Sequence, residues 1–280
     1  MRFSSPEAPY RFTPGRSPLL LSIPHGGTYL PPALAARLTP AARGVPDTDW
    51  HLATLYAMAR DLGAAVLEAT HSRYVIDLNR PPDGASLYPG QSVTGLCPID
   101  TFDDEPLYLD RADEPGAAEI DARREAIWEP YHAKLAHELA RLRARHGVAL
   151  LWDAHSIRSV LPRFFEGRLP DLNFGTANGA SCAPQLAQAL LDLAREESER
   201  FSSVLNGRFK GGYITRHYGR PDQGAHAVQL EMTQCSYMDE APPFAYRDDR
   251  AARVQPLLGR LLERMLAFAA DGRPSLPAST

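Results

Sequence analysis

Leu19-Leu20-Leu21-Ser22-Ile23-Pro24-His25-Gly26-Gly27 is an apolar run that stops at a histidine followed by two glycines. Its length suits a buried strand, and glycine lets the backbone turn sharply and come close to a ligand without Cβ clashes. In open α/β sheets ligands bind beyond the carboxyl ends of the strands, so a ligating side chain directly after a strand marks where a site would be built. Val148-Ala149-Leu150-Leu151-Trp152-Asp153-Ala154-His155-Ser156 repeats the arrangement, and Ala225-His226-Ala227-Val228-Gln229-Leu230-Glu231 ends a third run in an acid. Strand ends carrying His, His and Glu are the inventory of a metal hydrolase.

Outward from these runs, strands and helices alternate. Ala65–Ala69, Tyr74–Leu78, a segment near Val204 and Leu205, and Gly211–Arg216 after a glycine hinge read as strands. Helices are expected from Pro31-Pro32 to Leu38, from Trp50 to a stop at Gly63, from Glu119 to His146 with a bend at Pro130, from Pro184 to Arg200, and from Arg247 to Ala269. Residues 1–18 read as a proline-rich irregular arm, 156–181 as loop, and 271–280 as a frayed tail. Residues 81–118 are dense in proline and glycine, and a loop this long is usually functional or disordered; its aromatic residues Tyr88, Phe102 and Tyr108 favour a cover over a site above full disorder. The pattern predicts one α/β domain over 1–280, with a core at about 18–270 and a three-layer arrangement of helices on both faces of a mainly parallel or mixed sheet.

Composition narrows the function. A chain of 280 residues buries enough apolar surface to need no covalent staples, and Cys97, Cys182 and Cys235 form no C-x-x-C pair, which fits a reducing compartment. The N-terminal stretch lacks a signal-peptide core and no run reaches membrane-spanning length, so a cytoplasmic protein with no membrane partner is expected. A formal charge of −4 argues against a general nucleic-acid surface.

His25 and His155 are the leading metal ligands, with Asp49 as the third and Asp47 in competition. A lone histidine after a strand is more often a hydrogen-bonded structural residue, and an acid at a helix start more often a cap. The joint placement of two histidines shifts the balance toward metal. Arg73-Tyr74-Val75-Ile76-Asp77-Leu78-Asn79-Arg80 ends in an Asn-Arg pair whose guanidinium can grip a carboxylate bidentately; its bland alternative is Arg80 pairing with Asp77. Glu231 beside a metal would suit a general base.

Pro24-His25-Gly26-Gly27, Asp47-Thr48-Asp49-Trp50-His51, Asp77-Leu78-Asn79-Arg80-Pro81, Asp153-Ala154-His155-Ser156 and Gln229-Leu230-Glu231-Met232, in this order, resemble the N-formylglutamate amidohydrolase family over about residues 18–240. That family is similar in fold to zinc carboxypeptidases and aspartoacylase-type deacylases, with a phosphorylase/hydrolase-like sheet. The resemblance implies a divalent metal, zinc by default with cobalt, nickel or iron as alternatives, on His25, His155 and an acid. Gly27 and Thr28 stand where the compact His-x-x-Glu of carboxypeptidases would put its acid, so Asp49 or Asp47 must supply it. It also implies Asn79 and Arg80 on a substrate carboxylate, Arg73 on the scissile carbonyl, and Glu231 as catalytic acid/base. The implied reaction is hydrolysis of N-formyl-L-glutamate in histidine degradation. A dicarboxylate substrate needs a second arginine, for which Arg158 and Arg216 are the candidates. The alternatives are a deacylase or carboxypeptidase acting on another N-acyl amino acid, and a metal-free binding protein for an acidic metabolite.

Overall fold

A computed structural model describes residues 3, 5–85 and 94–271. Expectations for Tyr88 and for the tail beyond 271 lie outside the described residues. The strands are β1 Tyr10–Thr13, β2 Leu19–Ile23, β3 Ala65–Ala69, β4 Ala149–Ile157, β5 Leu172–Gly175, β6 Ser203–Leu205 and β7 Ala225–Thr233. The helices are α1 Pro32–Ala35, α2 Pro40–Arg43, α3 Leu52–Leu55, α4 Ala117–Arg123, α5 Glu129–His146, α6 Pro184–Arg195, α7 Tyr213–Tyr218 and α8 Asp248–Asp271.

The strands form one seven-stranded sheet in the order β1-β3-β2-β4-β7-β5-β6. β2, β3, β4 and β7 run parallel, β1 joins β3 antiparallel, and β5 joins β7 antiparallel. The expected mixed α/β sheet is therefore present, and its central strands are buried on both faces. Along β4, Leu150, Trp152 and Ala154 enter the core beneath α3, α6 and α8, whereas Ala149 and Leu151 enter the core beneath α1, α2 and α5. This two-sided burial is why those strands read as unbroken apolar runs.

Several local expectations give way to tertiary context. Tyr74–Leu78 is a buried turn rather than a strand, with Val75 N donating to Ser72 O and Asp77 N to Leu96 O. Gly211–Arg216 is not a strand: Gly212 precedes α7. The irregular arm contains β1, and the 156–181 loop contains β5. The helix expected from Trp50 to Gly63 reduces to α3 and a 3₁₀ turn at Ala57–Ala59. The first short helix ends at Ala35, and α6 at Arg195. Ahead of Pro130 the 119–146 helix is interrupted by a π-helical turn at Arg124–Trp128, since proline has no amide to donate and crowds the preceding turn.

Gly27 serves packing rather than ligand approach. A Cβ there would lie 2.4 Å from His71 O and 2.5 Å from the Thr70 carbonyl carbon, so the turn after β2 presses directly on the chain following β3. Gly27→Ala is expected to lower the unfolding free energy by about 1–3 kcal/mol through this overpacking. A urea titration of the variant beside wild type measures the loss.

Candidate metal and active site

The chain leaves β2 toward β3 on one side and leaves β4 toward β5 on the other, so the sheet has its switch point between β2 and β4. His25 lies just past β2, and His155 lies inside β4, in register with Glu231 of β7. Strand residues two apart share a face, so Asp153 and His155 both project from the side of β4 that carries Leu151. Asp49 arrives from the segment before α3, where Val45 and His51 hold positive φ of 42° and 61° and Asp49 N donates to His25 O at 3.0 Å. That turn sets Asp49 between the two strand ends.

His25, Asp49 and His155 are all buried, and each offers a ligand atom within 4.8 Å of the others. His155 Nδ1 is 3.0 Å and His25 Nδ1 3.7 Å from Asp49 Oδ2. His25 Nε2 contacts Asp77 Oδ1 at 2.7 Å, and His155 Nε2 contacts Asp153 Oδ2 at 3.2 Å. On His25 the carboxylate on Nε2 fixes the tautomer that turns the Nδ1 lone pair inward. His25 Nδ1 is buried and has no hydrogen-bond partner among the described residues. An orphaned imidazole nitrogen facing a second imidazole and a carboxylate fits a divalent cation, so the group could hold a metal.

The electrostatics agree. Burial works against the Asp49 carboxylate, but hydrogen bonds and charge from His155 and His25 hold its pKa well below the ordinary range. Burial likewise opposes a charged His155, yet Asp153 and Asp49 keep its pKa well above that of a free imidazole. A carboxylate held ionised between the two imidazoles favours a cation at that point. Asp47 behaves differently: it accepts from Tyr74 Oη at 2.6 Å and from Phe102 N at 2.8 Å. Burial raises its pKa, and it stands outside the cluster. Asp77→Asn removes the carboxylate behind His25 while sparing the ligands themselves. Isothermal titration with Zn²⁺ is expected to give about 10- to 100-fold weaker affinity, with the 1:1 stoichiometry unchanged.

A cavity of about 590 Å³, counting the space at its mouth, opens over the cluster. Glu231, Arg73, Asn79 and Arg80 line it alongside the three candidate ligands. Burial, with Asp49 adding to it, pushes the Glu231 carboxyl up to about 8 against the pull of His155 and Arg73. Gln229 Nε2 donates to Glu231 Oε2 at 3.3 Å, and Gln229 Oε1 accepts from Gly212 N at 2.7 Å. Arg73 spans Asp77 at 2.7 Å and Asp49 at 3.8 Å, and its guanidinium lies 4.7 Å from the Phe102 ring centroid.

The Asn-Arg pair divides. Asn79 Oδ1 accepts from Ile214 N at 2.8 Å, and its Nδ2 lies 3.0 Å from His155 Nε2, so the side chain couples α7 to the cluster. Arg80 donates to Thr94 O at 3.0 Å and to Thr94 Oγ1 at 3.1 Å, with Asp77 at 3.9 Å. Arg158 and Arg216 are not brought into the cavity wall: Arg158 pairs with Asp103 at 2.8 Å, and Arg216 Nε donates to Gly211 O at 2.8 Å.

Asp153, Gln229 and Arg208 were not singled out by sequence. Period-two alternation in Asp153-Ala154-His155 and in Gln229-Leu230-Glu231 would have flagged the first two as sharing a face with their neighbours. Arg208 sits in a loop with no such signal.

The chain is similar to known proteins over most of its length. A family model described as N-formylglutamate amidohydrolase matches residues 17–238. Over 260 residues the chain is 54% identical to a Pseudomonas aeruginosa protein named N-formylglutamate deformylase, covering 93% of this chain and 97% of that one. A Pseudomonas putida protein of the same name is 53% identical, with 93% and 96% covered. The crystal structure of N-formylglutamate amidohydrolase from Ralstonia eutropha JMP134 superposes with a TM-score of 0.81 at 25% identity, covering 95% of this chain and all of that one.

Proposed function

The chain belongs to the N-formylglutamate amidohydrolase family, and from that premise we propose that it hydrolyses N-formyl-L-glutamate to formate and L-glutamate with a divalent metal on His25, Asp49 and His155. The observation that carries the reading is the buried His25–Asp49–His155 group under the same cavity that Glu231 lines. Zinc is the default for two imidazoles and a carboxylate, with cobalt, nickel or iron able to take the same ligands. The reaction would complete a histidine-degradation route in the cytoplasm.

A divalent cation would supply Lewis acidity and would acidify a bound water to a pKa of roughly 7. Glu231 takes the proton of the attacking water as the new C–O bond forms at the formyl carbon. Arg73, fixed by Asp77 and Asp49, faces the developing oxyanion with charge already oriented. As the C–N bond breaks, Glu231 returns the proton to the leaving amine, so one carboxyl serves both halves. Arg80, anchored on Thr94, holds a substrate carboxylate at the wall.

The test is formate release from N-formyl-L-glutamate by the metal-loaded protein, beside N-acetyl-L-glutamate and a peptidyl glutamate. Selective turnover of the formyl compound is expected. No formate from protein with verified metal content would overturn the substrate assignment, and preference for the acetyl or peptidyl compound would move the site to another N-acyl substrate.

A further inference from the structure

N-formyl-L-glutamate carries two carboxylates, and neither Arg158 nor Arg216 lines the cavity. Among the described residues, the arginines and carboxylates of the lining are Arg73, Arg80 and Arg208 against Asp49 and Glu231. Arg73 belongs to the reacting centre through Asp49 and Asp77, which leaves Arg80 and Arg208 to face a dianion. We propose that Arg208 reads the side-chain carboxylate while Arg80 takes the α-carboxylate, so that Arg208 sets the preference for an acidic N-formyl amino acid. The inference rests on the substrate assignment above and adds the residue that enforces it.

The setting of Arg208 suits recognition. Its Nε donates to Phe164 O at 2.6 Å, and its guanidinium carbon lies 5.2 Å from the Phe209 ring centroid, which fixes the plane of the group. The preceding Asn206 adopts φ of 52°, donates N to Phe174 O at 2.7 Å, and accepts from Thr176 N at 2.9 Å through Oδ1. The loop is therefore tied to the end of β5 and holds its arginine in advance of binding. Phe164, Phe209 and Ile157 line the same cavity and offer apolar wall for the methylenes between the two carboxylates. A planar fork on rigid backbone distinguishes a carboxylate from an amide of equal size, because a carboxylate offers two acceptor oxygens to parallel N–H donors and an amide only one.

The test compares N-formyl-L-glutamate with N-formyl-L-glutamine, by kcat/KM and by calorimetric binding to the metal-loaded protein. Arg208→Gln is expected to lower kcat/KM for the glutamate compound by about 30- to 1,000-fold, mainly through KM, while the glutamine compound loses far less, so that the ratio of the two collapses. Retained glutamine turnover also certifies the fold of the variant. Arg208→Lys should fall between, keeping charge but losing the fork. Unchanged selectivity in Arg208→Gln, or a selectivity loss that appears instead in Arg158→Gln or Arg216→Gln, overturns the proposal. If wild type releases no formate from either compound, the substrate assignment fails, and the binding comparison still decides whether Arg208 discriminates the acid.

Discussion

Glu231→Gln is expected to lower kcat by about 10²- to 10⁴-fold, the usual worth of a positioned general acid/base, with metal content unchanged. Glutamine keeps the shape of the side chain but can neither take the proton of the attacking water nor return it to the leaving amine. The pH profile should carry the same signature. Glu231 works as a base only when ionised, and burial has raised its carboxyl from 4.5 to about 8. Activity should therefore fall as pH drops through that pKa, with the acid limb of kcat/KM above the ordinary carboxylate range. A cation held by His25, Asp49 and His155 draws the limb down from about 8 toward neutrality. The limb should vanish in Glu231→Gln; an unchanged limb there would mean that another group is the base.

The same shift has a stability consequence of opposite sense. A carboxyl whose folded pKa is raised favours the folded state fully below its unfolded pKa, and that contribution is lost as pH rises toward the folded value. For Glu231 the window runs from 4.5 to about 8. Metal-free Glu231→Gln should accordingly melt above wild type at pH 8, with the gap closing toward pH 4. Such a gain in stability for a loss in activity is what a buried catalytic anion predicts.

β2, β4 and β7 were legible in the sequence because both of their faces are covered, and an apolar run of strand length that stops at His or Glu seldom arises in a surface segment. The same runs delivered His25, His155 and Glu231. Segments whose conformation depends on distant partners were not legible. Tyr74-Val75-Ile76 has the side chains of a strand, yet Leu96 O takes the Asp77 amide and Arg73 pairs with Asp77 four residues on, which fixes a turn. Tyr213-Ile214-Thr215 also favours strand by composition, but Asn79 Oδ1 receives the Ile214 amide at the start of α7, a cap supplied from 135 residues away. The choice between Asp47 and Asp49 had the same character. Spacing puts both at the mouth of the sheet, and only Tyr74 and Phe102 on one side, and the two imidazoles on the other, separate them.

That separation leads to the largest effect expected of the site. His25→Ala, His155→Ala and Asp49→Asn should each leave the protein with background metal content. Each should lower kcat/KM by at least about 10³-fold, since the Lewis acid and the acidified water are worth several kcal/mol together. Asp47→Asn should keep the metal, because its partners are a tyrosine hydroxyl and a backbone amide. Thermal unfolding gives an independent readout. Metal at about 100 times its Kd stabilises the folded state by about 2.7 kcal/mol, or roughly 5–11 °C for a domain of this size, and chelation should reverse it. The three ligand variants should lose the metal-dependent shift, whereas Asp47→Asn should retain it even if its baseline melting temperature falls. Loss of the shift in Asp47→Asn and its survival in Asp49→Asn would transfer the third ligand to Asp47, and turnover that persisted after complete metal removal would strip the His25–Asp49–His155 group of its role in the chemistry.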